Sequence, residues 1–189
     1  MTSQILERLL TPHDLVNLAN DGKRYELHQG GLVEVGTSSR KHSKLGAWLV
    51  MTLLLFVDAH ALGGDVSGAD GTFQLTAFDT SVPDAAYVSA AKTTALPPDT
   101  VFYPFAPDLA IEIKSPSQSK RDMQLLAVLY INAGSRLVWC IDTKAENVTV
   151  YRANGERFTL SREDGLDGED VLPGFTVELE QLFAVIDGI

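Results

Sequence analysis

The sequence has few of the features that cross-link a chain or direct it to a membrane. Among its 189 residues there is one cysteine, Cys140, which excludes a disulfide within the chain and a zinc site built from cysteines. The longest apolar run, residues 45–57, has 13 residues, whereas a membrane span needs about 20, so this run is interpreted as a buried helix. The first residues lack a basic segment followed by an apolar core. We therefore expect a cytoplasmic protein that makes no contact with a membrane.

Basic residues are scarce as well. The chain has 15 lysines and arginines against 25 acidic residues, a net charge of -10, which at first argues against a polyanionic partner. The excess of acidic residues is unevenly distributed along the chain, because residues 142–189 hold 11 acidic and 4 basic side chains. The first 141 residues, with 14 acidic and 11 basic side chains, are close to balanced. A surface for a polyanion is therefore still possible outside the last quarter of the chain.

The local patterns predict one domain over residues 1–189, with helices and strands mixed along the chain. Turn and capping signals delimit a short helix from Pro12 to about residue 20, a hairpin of residues 24–28 and 32–35, a long helix over 40–60 capped by Ser38 or Ser39, strands over 72–78, 85–89 and 109–113, a helix over 119–132, a strand over 137–142, a hairpin of 147–152 and 157–160, and a last helix over 177–186. This order predicts an α/β or α+β fold in which helices flank a mixed β-sheet.

The segment from Pro107 to Pro116 is the most informative for chemistry. In a strand, Asp108, Glu112 and Lys114 share one face, and three aliphatic side chains share the other. An isolated Glu-x-Lys is usually an exposed pair. Burying unpaired charge costs several kcal/mol, so the charged face of a central strand must be wet, mutually neutralised or bound to a metal.

A second Pro-Asp pair, Pro83-Asp84, precedes another short apolar strand 28 residues before Glu112. If the two strands are neighbours, Asp84 approaches Glu112, because side chains on opposed strands stand about 5 Å apart. Two carboxylates this close repel each other unless a cation lies between them. Oxygen ligands without cysteine suit Mg²⁺ or Mn²⁺.

With these residues in view, the sequence resembles a known nuclease group. Asp84 followed by Glu112-Ile113-Lys114 resembles the signature of the restriction-endonuclease-like, PD-(D/E)xK nuclease superfamily. A wider set of motifs resembles the Uma (Uma two) family of bacterial endonucleases. That set comprises residues 24–27, 31–34, His42, 83–84, 107–116, Asp122, Tyr130, 133–134, 138–139, Asp142 and 171–175. The resemblance implies a restriction-endonuclease-like core.

The resemblance also implies a set of site residues. Asp84, Glu112 and the backbone carbonyl of Ile113 would hold the metal ion. Lys114 would position the attacking water and offset charge in the transition state. Glu26 would be a fourth catalytic residue, as a further ligand or a nearby hydrogen-bond acceptor. Its alternative is a hairpin surface charge paired with Arg24.

Other polar residues leave two interpretations open. Asp108 either supplements the metal site or caps the turn before its strand. A set of polar side chains around the first turns of the two long helices either contacts phosphate or DNA or is simply solvated. The set comprises Arg40, Lys41, His42, Lys44, Lys120, Arg121 and Gln124. The family commonly has a lysine where this chain has Leu126, so one cation is missing from the second of these helices.

The resemblance implies a magnesium- or manganese-dependent endonuclease that hydrolyses DNA. Few cations are available, so binding should be weak and sensitive to salt. By analogy with enzymes that cut both strands, we expect a homodimer, joined through the apolar hairpin or the tail. A non-catalytic interaction protein that retains the nuclease fold and works through its acidic tail is the alternative. The sequence leaves the recognition site and the choice between DNA and RNA open.

Overall fold

The computed structural model describes residues 8–18 and 21–188. In chain order its elements are α1 (Pro12–Val16), β1 (Tyr25–His28), β2 (Gly31–Glu34), α2 (Arg40–Ala59), β3 (Asp65–Gly68), β4 (Phe73–Gln74), β5 (Thr80–Ser81), β6 (Ala85–Val88), α3 (Ala90–Thr93), β7 (Leu109–Ile113), α4 (Lys120–Asn132), β8 (Leu137–Asp142), β9 (Asn147–Arg152), β10 (Arg157–Ser161), β11 (Gly165–Asp167), β12 (Thr176–Glu178) and α5 (Leu179–Ala184).

The centre of the molecule is a six-stranded sheet in the order β10-β9-β8-β7-β6-β3. Strands β7 and β8 are parallel, and every other neighbouring pair in this sheet is antiparallel. A parallel pair needs a long crossover, which α4 supplies. The predicted α+β fold with a mixed sheet and flanking helices is therefore confirmed.

Helices cover both faces of this sheet. Helix α2 buries a stripe at four-residue spacing, Leu45, Leu49, Leu53 and Val57, on the face that also receives α5. Helix α4 covers the opposite face. Because β7 lies between these layers, all five of its residues are buried. Each fully buried leucine contributes roughly 1.5 to 3 kcal/mol through the hydrophobic effect.

The β1–β2 hairpin lies outside the main sheet and is held by loop contacts. The backbone N–H of Leu27 donates to Thr80 Oγ1 over 2.9 Å, and the N–H of Gly30 donates to the carbonyl of Phe78 over 2.7 Å. Gly30 has a φ of +76°, which glycine adopts without strain. These bonds fix the hairpin against the segment that leads into β6.

Several predicted elements end elsewhere. Helix α1 stops at Val16, and the strand expected over residues 72–78 is only β4, because a turn interrupts it. Residues 176–178 form β12, so the last helix is confined to Leu179–Ala184. The short elements β3, α3 and β11 were not predicted.

The long helix α2 is buried on one side only, which corrects the expectation that it is a buried helix. Met51, Leu54 and Leu55 are exposed on its outer side. Within the described residues α2 alone is long and apolar enough to cross a membrane, a test that the core helices of soluble proteins also pass. Its leucine stripe against the sheet marks it as a helix of the core.

Candidate active site

Asp84 and Glu112 meet at one end of the β6–β7 pair. The antiparallel register joins Ala85 to Ile111, and one further step in that register brings Asp84 opposite Glu112. The backbone N–H of Ile113 donates to Asp84 Oδ2 over 2.7 Å. The two Pro-Asp segments therefore precede neighbouring strands, and the two carboxyl groups lie across from each other.

Glu112 is a buried acid in an unfavourable environment. Glu112 is 8% exposed. Its Oε1 accepts a hydrogen bond of 2.7 Å from the hydroxyl of Tyr130, which is fully buried on α4. Burial raises the pKa of Glu112 well above its usual range, and the negative charges of Asp84 and Glu26 raise it further. The Tyr130 hydrogen bond opposes this rise. Glu112 therefore favours any state in which a proton or a cation neutralises it.

Glu26 joins this group from the β1–β2 hairpin. Its Oε1 accepts from the N–H of Val82 over 2.7 Å and from Ser81 Oγ over 3.3 Å, so it lies beside the segment that ends at Asp84. The ion pair with Arg24 is absent, because Arg24 contacts the carbonyl of Ala69 and the carboxylate of Asp70. Its other oxygen, Oε2, lies 3.2 Å from His28 Nε2 on the same hairpin, and the charge of Glu26 acts on the pKa of Glu112.

His42 contacts the acidic group directly. Ser39 caps α2 by accepting a hydrogen bond from the N–H of His42, which places the imidazole beside β6. His42 Nε2 lies 2.5 Å from Asp84 Oδ1, and both side chains are largely buried. Sequence reasoning grouped His42 with the phosphate-contacting cations of α2, whereas its partner in this structure is Asp84.

Lys114 turns toward the neighbouring strand. Its Nζ lies 3.7 Å from Asp142 Oδ2 at the end of β8, and both side chains are mostly buried. Asp142 Oδ1 accepts from the backbone N–H groups of Lys144 and Ala145, each over 3.1 Å, and these bonds hold the carboxylate in place. Lys114 is therefore paired with Asp142 and makes no ion pair with Glu112, two residues earlier in the chain.

The remaining candidates divide into two groups. Asp108 lies at the opposite end of β7, where its carboxylate accepts from the N–H of Ser89 over 2.8 Å and pairs with Lys92 at 3.1 Å. Its role is structural, at the start of α3. The expected cations at the starts of α2 and α4 are exposed and have no carboxylate within 4.0 Å among the described residues: Arg40, Lys41, Lys44, Lys120 and Arg121.

Two contacts were missed by sequence reasoning. Tyr130 and Asp142 are in the motif set that carried the resemblance, but no role was assigned to them. The signal for Tyr130 is its spacing with Met123 and Ala127, which form the buried face of α4. A tyrosine on that face lies over the strand before the helix, because a βαβ crossover packs its helix back on the sheet.

The donor set can be compared with the needs of a metal ion. Within residues 8–18 and 21–188, no three histidine, cysteine, aspartate or glutamate side chains form a ready metal-binding group. Mg²⁺, however, keeps several waters and is usually held by one or two carboxylates. Asp84 and Glu112 supply two hard oxygen donors, and Glu112 has the raised pKa of an acid that lacks a cationic neighbour. The residues therefore fit Mg²⁺ or Mn²⁺ in kind and in number.

Comparisons with known proteins agree with this geometry. The sequence model of the Uma2 family, described as "Putative restriction endonuclease", matches residues 12–180. A crystal structure described as a putative nuclease belonging to DUF820, from Anabaena variabilis, is similar with a TM-score of 0.80 and 19% sequence identity. The match covers 94% of this chain and 99% of that one, and it shows a shared fold. No curated protein matches this chain in sequence.

Proposed function

Because this chain belongs to the Uma2 family of restriction endonucleases, we propose that it hydrolyses DNA phosphodiester bonds with Mg²⁺ or Mn²⁺ bound at Asp84 and Glu112. The observation that carries the proposal is the approach of three acids, Glu26, Asp84 and Glu112, at the end of the β6–β7 pair. Burial raises the pKa of Glu112, and the negative charges of Asp84 and Glu26 raise it further. Perturbed acids in a group of this kind are typical of functional sites.

Each residue of the site has its own role in the proposed reaction. When bound, the ion supplies Lewis-acid polarisation of the phosphate and lowers the pKa of a water molecule. The amine of Lys114 orients the attacking water and stabilises the charge that develops on the phosphate oxygens. Tyr130 holds the carboxyl group of Glu112 in one orientation. The N–H of Ile113 does the same for Asp84, and the carbonyl of Ile113 remains the third proposed ligand.

DNA is the proposed substrate because unpaired cations lie at the starts of α2 and α4, the two helices that contact this acidic centre through His42 and Tyr130. Arg40, Lys41 and Lys44 lie in the first turns of α2, where His42 contacts Asp84. Lys120 and Arg121 lie at the start of α4. Few phosphate contacts can form with a chain of net charge -10, so affinity should be weak and should fall steeply with salt.

A homodimer with one active site for each strand remains part of the proposal. The β1–β2 hairpin supports it, because Leu32 and Val33 are exposed there. The tail does not, since Leu179, Leu182 and Phe183 of α5 are buried in the core. The contact should therefore be sought at the hairpin or on the outer side of α2.

The acidic tail gives little support to the alternative of a non-catalytic interaction protein. Much of its charge is used inside the molecule. Asp164 accepts from the N–H and the hydroxyl of Ser161, and Glu169 pairs with Arg152 at 2.8 Å. Asp170 pairs with Arg136. These acids stabilise turns and the ends of strands.

A cleavage assay on supercoiled, linear, single-stranded and branched DNA tests the proposal with Mg²⁺ or Mn²⁺. Asp84→Ala, Glu112→Gln and Lys114→Ala should each lower kcat by about 100-fold or more, the usual effect of removing one group that stabilises developing charge. Glu163→Ala removes an exposed carboxylate elsewhere and should leave the rate unchanged. Equal cleavage by wild type and by all three site variants would identify a contaminant and reject the function. Calorimetric titration with Mg²⁺ should show binding that Asp84→Ala abolishes.

A further inference from the structure

A groove of about 270 Å³ opens beside Lys114, between the first turns of α4 and strands β8, β9 and β10. Lys114 and Asp142 line it after β7 and at the end of β8, and Lys120 and Gln124 line its helical wall. Asn147 and Arg157 line the wall formed by the sheet. The groove therefore includes the proposed catalytic amine, whereas Glu26, Asp84 and Glu112 are not among its lining residues.

Positive charge dominates this groove although the whole chain is acidic. Its one carboxylate, Asp142, is occupied by Lys114. Lys120 and Arg157 have no carboxylate within 4.0 Å among the described residues. Arg157 lies opposite Tyr151 in the register of the β9–β10 pair, and both residues line the groove. Two cations that no acid neutralises are suited to an anion such as a phosphate group.

The rest of the lining is uncharged and combines polar side chains with the apolar Met123 and Ile141. Gln124 and Asn147 face the groove from opposite walls, and each carries an amide with both a donor and an acceptor. Amide and guanidinium groups are the side chains that most often read the edges of bases. No single helix of the sequence offers such a set, because Gln124, Asn147 and Arg157 come together only when α4, β9 and β10 pack.

We propose that this groove binds one nucleotide of the substrate strand next to the phosphate that is cut. Lys120 and Arg157 contact its phosphate, and Gln124 and Asn147 contact its base. The volume of about 270 Å³ lies just below the usual range for ligand pockets, about 300 to 1,000 Å³, so the groove suits one nucleotide rather than a duplex. The inference rests on the proposed nuclease function, because it assigns the groove to that enzyme's substrate.

Binding can be measured separately from cleavage. The probe is a fluorescein-labelled single-stranded DNA of about 12 nucleotides, a length within known single-strand site sizes, followed by anisotropy in EDTA. Lys120→Ala and Arg157→Ala should each weaken binding by roughly threefold to tenfold, and each should reduce the slope of log K against log salt by about one. Lys144→Ala is the matched control, since Lys144 is exposed and lies on the adjoining β8–β9 turn but outside the groove.

The base contact is tested with Gln124→Ala on oligo(dA), oligo(dC) and oligo(dT). The ratio of affinities among the three should change by about threefold or more, as expected when one base contact is lost from an open groove. Unchanged ratios would overturn the assignment of the base contact.

The outcomes separate this inference from the proposed function. If Lys120→Ala and Arg157→Ala bind the probe as Lys144→Ala does, or if wild type does not bind it, the groove proposal is wrong, whatever the cleavage assay shows. If wild type binds and the groove variants bind more weakly, but no DNA is cleaved with either metal, the groove is supported and the nuclease function fails. In an active enzyme, Arg157→Ala should raise KM by a similar factor and leave kcat near the wild-type value.

Discussion

Replacing Tyr130 with phenylalanine would isolate the hydrogen bond that reaches the buried acid of the site. The Tyr130 hydroxyl donates to Glu112 Oε1 over 2.7 Å, and Tyr130 is fully buried on α4. The substitution removes one oxygen and leaves the aromatic ring in its place against Met123 and Ala127. The expected loss is therefore that of one hydrogen bond, without a large cavity.

The magnitude follows from the charge and burial of the acceptor. A hydrogen bond to a charged group contributes about 1.5 to 3 kcal/mol to the free energy of unfolding. For a chain of this size, 1 kcal/mol corresponds to about 2 to 4 °C in Tm, so Tyr130→Phe should lower Tm by roughly 3 to 12 °C. The free energy lost should also depend on pH.

The sign of that pH dependence comes from Glu112. Its pKa is raised mainly by burial and then by the charge of Asp84, while the Tyr130 hydrogen bond acts to lower it. Stability must therefore fall as pH rises from the unfolded-state pKa, near 4.5, through the higher folded-state pKa. Tyr130→Phe raises the folded-state pKa further. Its deficit in the free energy of unfolding should be larger near pH 8 than near pH 5.

Urea unfolding in EDTA, followed by circular dichroism at about pH 5 and pH 8, measures this difference. Tyr87→Phe is the control, because its hydroxyl donates to the neutral carbonyl of Gly63 over 3.2 Å, away from the acids. Tyr87→Phe should cost about 1 kcal/mol at both pH values. If Tyr130→Phe shows an equal deficit at the two pH values, the argument that its hydroxyl stabilises the ionised form of Glu112 is wrong.

Three further changes can be measured by the same unfolding experiments. Asp108→Asn breaks the pair between the buried Asp108 carboxylate and Lys92, whose side chain is 30% exposed, and should cost about 1.5 to 3 kcal/mol at neutral pH. Burial acts to raise the pKa of Asp108, but the bonds from Ser89 and Lys92 lower it overall. The difference in the free energy of unfolding between wild type and Asp108→Asn should therefore shrink as the pH falls below 3.8 through the lowered pKa. Leu53→Ala in the α2 stripe should cost about 2 to 5 kcal/mol, whereas Leu55→Ala, 63% exposed on the same helix, should stay within about 0.5 kcal/mol. Glu112→Gln should raise the free energy of unfolding at neutral pH by about 1 to 4 kcal/mol, because it removes a buried charge and retains an acceptor for the tyrosine, and no increase would contradict the assigned repulsion.

The parts of the fold that the sequence predicts well are those specified by local chemistry. Ser39 and Ser119 cap the two long helices, which begin at the next residue in each case. Strand β7 and its neighbour β8 are apolar except for Glu112 and Asp142, and they lie in the centre of the sheet. The approach of Asp84 and Glu112 was predictable because the side-chain period of a strand is two, so neighbouring strands align their charged ends once they pair.

Other features depend on contacts between distant residues and could not be predicted. The short strands β3, β11 and β12 have three or four residues, too few for a periodic pattern. The partner of His42 is 42 residues away, and it depends on where α2 lies relative to β6. The direction of Lys114 depends on Asp142, which reaches it only through the parallel pairing of β7 and β8.

The energetic cost of Glu112 bears on the choice between a nuclease and a protein that keeps only the fold. A carboxyl group that is 8% exposed and faces two other acids lowers the stability of the metal-free chain, and a neutral side chain of similar size would avoid this cost. Packing alone gives no reason for an acid there, because the hydrogen bond from the Tyr130 hydroxyl would also be accepted by a neutral amide. A binding protein that acted through its outer surface would gain nothing from an acid buried beneath α4 with Asp84 and Glu26 close enough to raise its pKa. A cation at that point removes the repulsion, so the cost is understandable if the chain has to hold one.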